Sequence, residues 1–178
     1  AIKKGFIKNS KIAVVVGSKN DIFALERAKR ENIPTVVYKK TDYDDLHMMF
    51  DDVRKDLEKR KIDLIVLAGY LLILTPNIVG KYKNKIINIH PSLIPQYCGM
   101  GFYGMKVHKA VIENKEEYSG ATAHFVDEGA DTGEIIMQDK VKVLSDDTPE
   151  TLAKRVLELE HKLLPKAINK ILNGDENE

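Results

Sequence analysis

Cysteine is nearly absent: the 178-residue chain has one, Cys98. A single thiol excludes an internal disulfide framework and a Cys-rich zinc site, and a reducing cytoplasm is the simplest compartment for such usage. Net charge is almost absent too. The balance of 28 Lys and Arg against 27 Asp and Glu leaves a formal charge of +1. That supplies neither the basic stripe that displaces counterions from nucleic acid nor a pull towards anionic lipid, so neither partner is expected. Long hydrophobic runs are missing. The longest, Leu64 to Leu74, is broken by Gly69 and falls short of the roughly 20 residues that span a bilayer. No secretory segment, repeat or low-complexity linker is visible.

What remains is an ordinary globular composition, 43% apolar and 31% charged, in a length that suits one domain. A single domain is expected over residues 1–174, with Asp175 to Glu178 as a solvated tail.

The chain alternates strand and helix signals. Lys11 to Val16 is a β-branched run, after which Ser18 to Asp21 offers a capping box for a helix through about Glu31. Pro34 to Tyr38 gives a second strand. Thr41 to Asp44 then caps a helix with Leu46, Phe50, Val53 and Leu57 at helical spacing. Ile62 to Ala68 and Lys85 to Ile89 are near-continuous apolar runs, as expected of parallel strands buried on both faces. Ala121 to Asp127 and Glu134 to Val143 are strands joined by a polar turn, and predict an antiparallel extension. Asp147 caps a last helix with Pro149 in its first turn, a stripe of Leu152, Val156, Leu159 and Leu163, and a kink at Pro165. The pattern is that of an α/β fold, a doubly wound, mostly parallel sheet flanked by helices.

The opening residues depart from it. Ala1 to Lys8 reads as the end of a helix without an initiating methionine, whereas a doubly wound domain opens on a strand and a ligand-binding loop. Two readings fit: a first strand is missing, or the sheet starts at Lys11 behind a frayed arm.

The chemistry is concentrated after the strand at Lys85. Asn88 and His90 are two apart, so strand alternation puts both on one face, and Pro91 ends the strand. Ligands of open α/β sheets bind beyond the carboxyl ends of the strands, where this amide and imidazole would point. By themselves the two also fit a turn-capping amide and a hydrogen-bonded core histidine. Asp131, in the turn from Asp127 to Gly133, fits a surface Asx-turn equally well. Beside His90, however, its carboxylate would favour the charged imidazole.

Four motifs together resemble the formyl-folate-dependent formyltransferase family, and within it the phosphoribosylglycinamide formyltransferases, or glycinamide ribonucleotide transformylases. They are Val66 to Tyr70, Asn88 to Pro95, Gly120 to Val126 and Asp131 to Gly133. The resemblance implies transfer of a formyl group from 10-formyltetrahydrofolate, as cosubstrate, to the amine of glycinamide ribonucleotide in de novo purine (IMP) synthesis. It makes Asn88, His90 and Asp131 the catalytic residues and calls for no metal. The pterin of the folate would lie between Tyr70, Leu71, Leu72, Ile73 and Leu74 and the loop of Val126, Asp127 and Glu128, with Leu72 where an arginine is often found. Pro91 and Glu160 would meet the ribonucleotide, and Thr122 and His124 would support the site. Without the resemblance, Leu71 to Leu74 also read as core and Glu160 as one member of a solvated i, i+4 pair.

The family's phosphate-binding loop would precede Ala1. Formyltetrahydrofolate deformylase is the rival reading, and a non-catalytic folate-binding module a third. Partners are otherwise expected to be limited to folate and nucleotide, in a monomer or homodimer. Gly99 to Gly104 is a glycine-rich connection, either a plain loop or a lid, and Cys98 and His47 receive no role.

Overall fold

Strand Ile86–His90 is the part of the chain around which the rest is arranged. Its alternating residues face two different helical layers. In a computed structural model of the chain, which describes residues 1–174, it is β4 of the series β1 (Val15–Gly17), β2 (Thr35–Val37), β3 (Ile65–Leu67), β4, β5 (Tyr118–Phe125) and β6 (Ile135–Lys142). Between them lie α1 (Phe23–Arg30), α2 (Leu46–Lys59), α3 (Pro76–Lys81) and α4 (Met105–Glu113), and α5 (Pro149–Asn173) follows β6. The fold is α/β, as the alternation predicts.

The strands form two hydrogen-bonded groups. β1 pairs with β2 in parallel. The second group has the order β3-β4-β5-β6, with β3 parallel to β4 and the last two pairings antiparallel. The hairpin expected after residue 120 is therefore present as β5 and β6. Ile86 joins the cluster of Met49, Phe50, Val53 and Leu57 from α2 with Ile78 and Val79 from α3. Ile89, on the opposite face, joins Val107 and Val111 of α4, Ala121 and Ala123 of β5, and Leu152, Val156 and Leu163 of α5. Helices on both faces make the arrangement doubly wound. Each fully buried Leu, Ile or Phe side chain contributes about 1.5–3 kcal/mol by leaving water.

Several local expectations need correction. β1 and β3 are three residues each, and Lys11 to Val14 and Ile62 to Leu64 lie outside them. Val66 is 40% exposed, so β3 is not buried on both faces; β4 is its one strand partner among the described residues. Ala1 to Lys8 forms turns rather than a helix, held by bonds such as Gly5 N–H to Ile2 O, with Ile7 buried. The helix starts move as well. Ile22, without a side-chain bond, precedes α1 in place of the Ser18 box. Asp45 rather than Thr41 caps α2, accepting from Met48 N–H at 2.8 Å.

At α5 the cap is Thr148, which forms a reciprocal pair with Thr151. Asp147 instead accepts from Leu144 N–H and pairs with Arg155. The helix runs on through Pro165. The tail from Asp175 lies outside the described residues.

Leu152 is fully buried and Leu157, on the same helix, is 48% exposed. Leu152→Ala is expected to lose about 2–5 kcal/mol through lost transfer energy and a cavity. Leu157→Ala should change stability by less than about 0.5 kcal/mol. Urea denaturation of both variants checks the assignment of this face.

Candidate active site

Beyond Ile86 the face of β4 is no longer covered by α2 and α3, and Asn88 and His90 open instead onto a cavity of about 570 Å³. The antiparallel pairing sets Asn88 opposite His124 and His90 opposite Thr122, so four polar side chains share one patch of sheet. The 126–134 loop folds back over this patch and delivers Asp131, itself in the left-handed region at φ 58°. Gly133 fits there because a Cβ at that position would strike the Phe125 carbonyl.

Asp131 sits between two imidazoles. Its Oδ2 lies 3.4 Å from His90 Nδ1 and its Oδ1 lies 3.5 Å from His124 Nε2. Gly99, turned to φ 82°, donates its N–H to Oδ2 at 3.0 Å. Burial pushes the carboxyl up, but the bonds from His124 and Gly99 and the charge of His90 overcome that and hold it below its usual range. Asp131 is therefore a partly buried, ionised carboxylate at neutral pH.

Hydrogen bonding restricts the rings further. His90 Nε2 donates to the Tyr97 carbonyl at 2.9 Å, since a carbonyl only accepts. His124 Nδ1 likewise donates to the Phe125 carbonyl at 2.8 Å. His124 Nε2, 3.3 Å from Asn88 Nδ2, then either accepts from that amide or, when protonated, donates to Asp131. In the first state the second Asn88 N–H remains free. Thr122 is fully buried and ties the 92–94 segment to the sheet, donating to Ser92 O and accepting from Ile94 N–H and Gln138 Nε2.

Other residues singled out from sequence fall around the same space. Tyr70 to Leu74 form one wall, with Leu71 71% exposed at the rim and Leu74 buried. Val126, Asp127, Pro91 and Glu160 line it too, whereas Glu128 is exposed and outside it. The Gly99 to Gly104 segment is a further wall. His47 is exposed on α2.

A profile of the formyl transferase family matches residues 1–168. The chain belongs to the formyl transferase family. It is similar to the chloroplastic phosphoribosylglycinamide formyltransferase of Arabidopsis thaliana, 42% identical over 164 residues that cover 92% of this chain and 56% of the plant protein. The chain thus spans about half the length of the plant relatives it matches. The Haemophilus influenzae phosphoribosylglycinamide formyltransferase is 38% identical over 165 residues, covering 93% of this chain and 76% of the relative. The crystal structure of the Bacillus halodurans phosphoribosylglycinamide formyltransferase superposes with a TM-score of 0.89 at 33% identity, covering 98% of this chain and 88% of that one.

Elsewhere in the chain a second cavity, about 600 Å³, lies over Ile112 and the 142–147 segment. Two of its acidic groups have structural partners: Glu116 accepts from Tyr97, and Asp147 holds Leu144 and Arg155. Among the described residues no group of three His, Cys, Asp or Glu is placed to hold a metal ion, and no helix is long and apolar enough to cross a membrane.

Two contributors to the site escape sequence reading, because Tyr97 and Gly99 act through backbone atoms. A third, His108 on α4, is buried beside His90, with no partner for Nδ1 among the described residues. Burial and the charge of His90 lower its pKa. Helical spacing with Val111 is the signal that points it inward.

Glu160 is pushed well away from ordinary carboxyl behaviour, up to about 7, by burial. A raised carboxyl pKa means that the folded chain holds this proton more tightly than the unfolded chain. Its stabilising contribution is complete below the unfolded value and is lost as pH rises through about 7. Glu160→Gln removes the ionisation while keeping the shape. Its melting temperature should exceed the parent's at about pH 8.5, and the gap should close near about pH 5. A gap of equal size at both pH values would place Glu160 in solvent.

Proposed function

We propose that this chain carries the catalytic centre that moves the formyl group of 10-formyltetrahydrofolate to the amine of glycinamide ribonucleotide, a step of purine synthesis. The observation that carries the reading is the ionised Asp131 beside His90 and Asn88 at one side of a cavity whose opposite wall is apolar. The names of its relatives agree with it.

The reaction needs an uncharged amine to attack the formyl carbon, forming a C–N bond and a tetrahedral centre with a developing oxyanion. The free Asn88 N–H is a donor for that oxygen. The His90 Nδ1 contact to Asp131, at 3.4 Å, is looser than the 2.7–2.9 Å or so of a tight charged bond. A proton on Nδ1 can therefore be shared with the incoming oxygen. Asp131, directly or through a water, accepts the proton of the attacking nitrogen and passes it to folate N10 as the C–N10 bond breaks. The products are the formylated amine and tetrahydrofolate.

The exposed rim of Leu71 and Ile73 and the buried Leu74 suit one face of a flat pterin, and backbone groups of the 126–131 loop suit its polar edge. Glu160, ionised above about pH 7, suits the substrate's ammonium form before attack.

The test of the reading is tetrahydrofolate release from 10-formyltetrahydrofolate with and without glycinamide ribonucleotide. Release only with nucleotide supports it, release without nucleotide supports a deformylase, and folate binding without release supports a binding module. Asp131→Asn is expected to lower turnover by about 100-fold or more, as for other lost proton-transfer groups, with an unchanged circular dichroism spectrum. Near-parent turnover in that variant would remove Asp131 from the mechanism.

A further inference from the structure

The bond that fixes His90 comes from a residue outside the acid-base cluster. Tyr97 presents its carbonyl to His90 Nε2 at 2.9 Å while lying in the left-handed region, φ 50°. A side-chain-bearing residue rarely adopts that conformation and keeps it only where its surroundings hold it. Here the side chain is held at both ends. Its hydroxyl donates to Glu116 Oε1 at 2.7 Å, and the ring meets Phe102 edge to face with centroids 5.8 Å apart. Glu116 is anchored in turn, its N–H bonded to Val111 O at the end of α4. The adjacent Gln96 carbonyl is clamped by Ser92 Oγ at 2.6 Å.

We propose that Tyr97, braced by Glu116, is a positioning residue for His90: the brace aims the Tyr97 carbonyl at Nε2 and so holds the ring plane with its other nitrogen, Nδ1, turned towards Asp131 and the cavity. The proposal rests on the reading of His90 as catalytic. Burial, then the bond to Glu116, raises the Tyr97 pKa, which keeps the hydroxyl a donor throughout the working pH range. The consequence is a division of labour between the two ring nitrogens. Nε2 is spent on the backbone, and Nδ1 does the work with carboxylate and substrate. Without the brace, Nε2 would lose its fixed acceptor, the neutral ring's proton would move towards Nδ1 and the carboxylate, and the ring would no longer be held at the angle that presents Nδ1 to substrate; the cost to turnover comes from that lost positioning.

Tyr97→Phe removes the hydroxyl and keeps the ring against Phe102; Glu116→Ala removes the other end of the brace. Each should lower kcat about 10-fold, short of the roughly 100-fold that a misplacement of 1 Å brings, with KM for the folate little changed. Glu116→Gln, whose amide oxygen still accepts from the phenol, should restore most of the activity. The double variant Tyr97→Phe/Glu116→Ala should lose no more than either single one, because the two act as a unit.

Nitrogen-15 NMR of labelled histidine, at a pH where the ring is neutral, gives the decisive readout. His90 in the parent should carry its proton on Nε2, and the single variants should shift it towards Nδ1. Unchanged His90 signals in both folded variants, or losses confined to thermal stability, would overturn the brace. Shifted signals with unchanged turnover would leave the brace standing and overturn the catalytic reading of His90. If Tyr97→Phe does not fold, Glu116→Ala and Glu116→Gln carry the same comparison.

Discussion

The arrangement depends on one carboxylate kept ionised where burial opposes it. Asp131 is only 17% exposed, and burying a charge is costly unless it is paired and hydrogen-bonded. The offsetting groups are drawn from three distant stretches of chain: His90 on β4, His124 on β5, and the Gly99 N–H in the loop before α4. Each is positioned by something else. The sheet register places the histidines, left-handed backbone turns Gly99, and the tight fit at Gly133 brings the acidic loop back over the strands. Losing the carboxylate would leave two imidazoles without their common partner, so fold and site are coupled at this point.

Destabilised groups lie in and beside the cavity. Glu160 holds its proton to about pH 7, and His108 is buried with an unpartnered Nδ1 among the described residues. Positions like these are common where function rather than stability has shaped the residue. On the proposed reading, a cavity that desolvates an amine and a formyl group has reason to tolerate them.

Much of the architecture was legible because its signals are local. The run Lys85 to Ile89 marks the central strand, the spacing of Leu46, Phe50, Val53 and Leu57 marks α2, and the two-residue spacing of Asn88 and His90 puts them on one face. What was not legible depends on partners remote in sequence. Short β1 and β3 ended where pairing ended, which apolar runs do not record. The caps moved by a few residues at α1 and α2, and at α5 Thr148 took the role expected of Asp147, which is held by Arg155 instead. Asp131 alone read as an Asx-turn; only its return over the sheet joins it to His90. Tyr97 contributes a carbonyl, and no side-chain pattern signals that.

The most direct measurement is the titration of Asp131 itself, followed by carbon-13 NMR of its labelled carboxyl group in the folded protein. The account predicts a midpoint below the usual 3.8, because His124, Gly99 and His90 stabilise the charged form more than burial penalises it. A midpoint at or above that value would mean that burial dominates, and the carboxylate at the centre of the proposed proton transfer would not be the charge that organises this site.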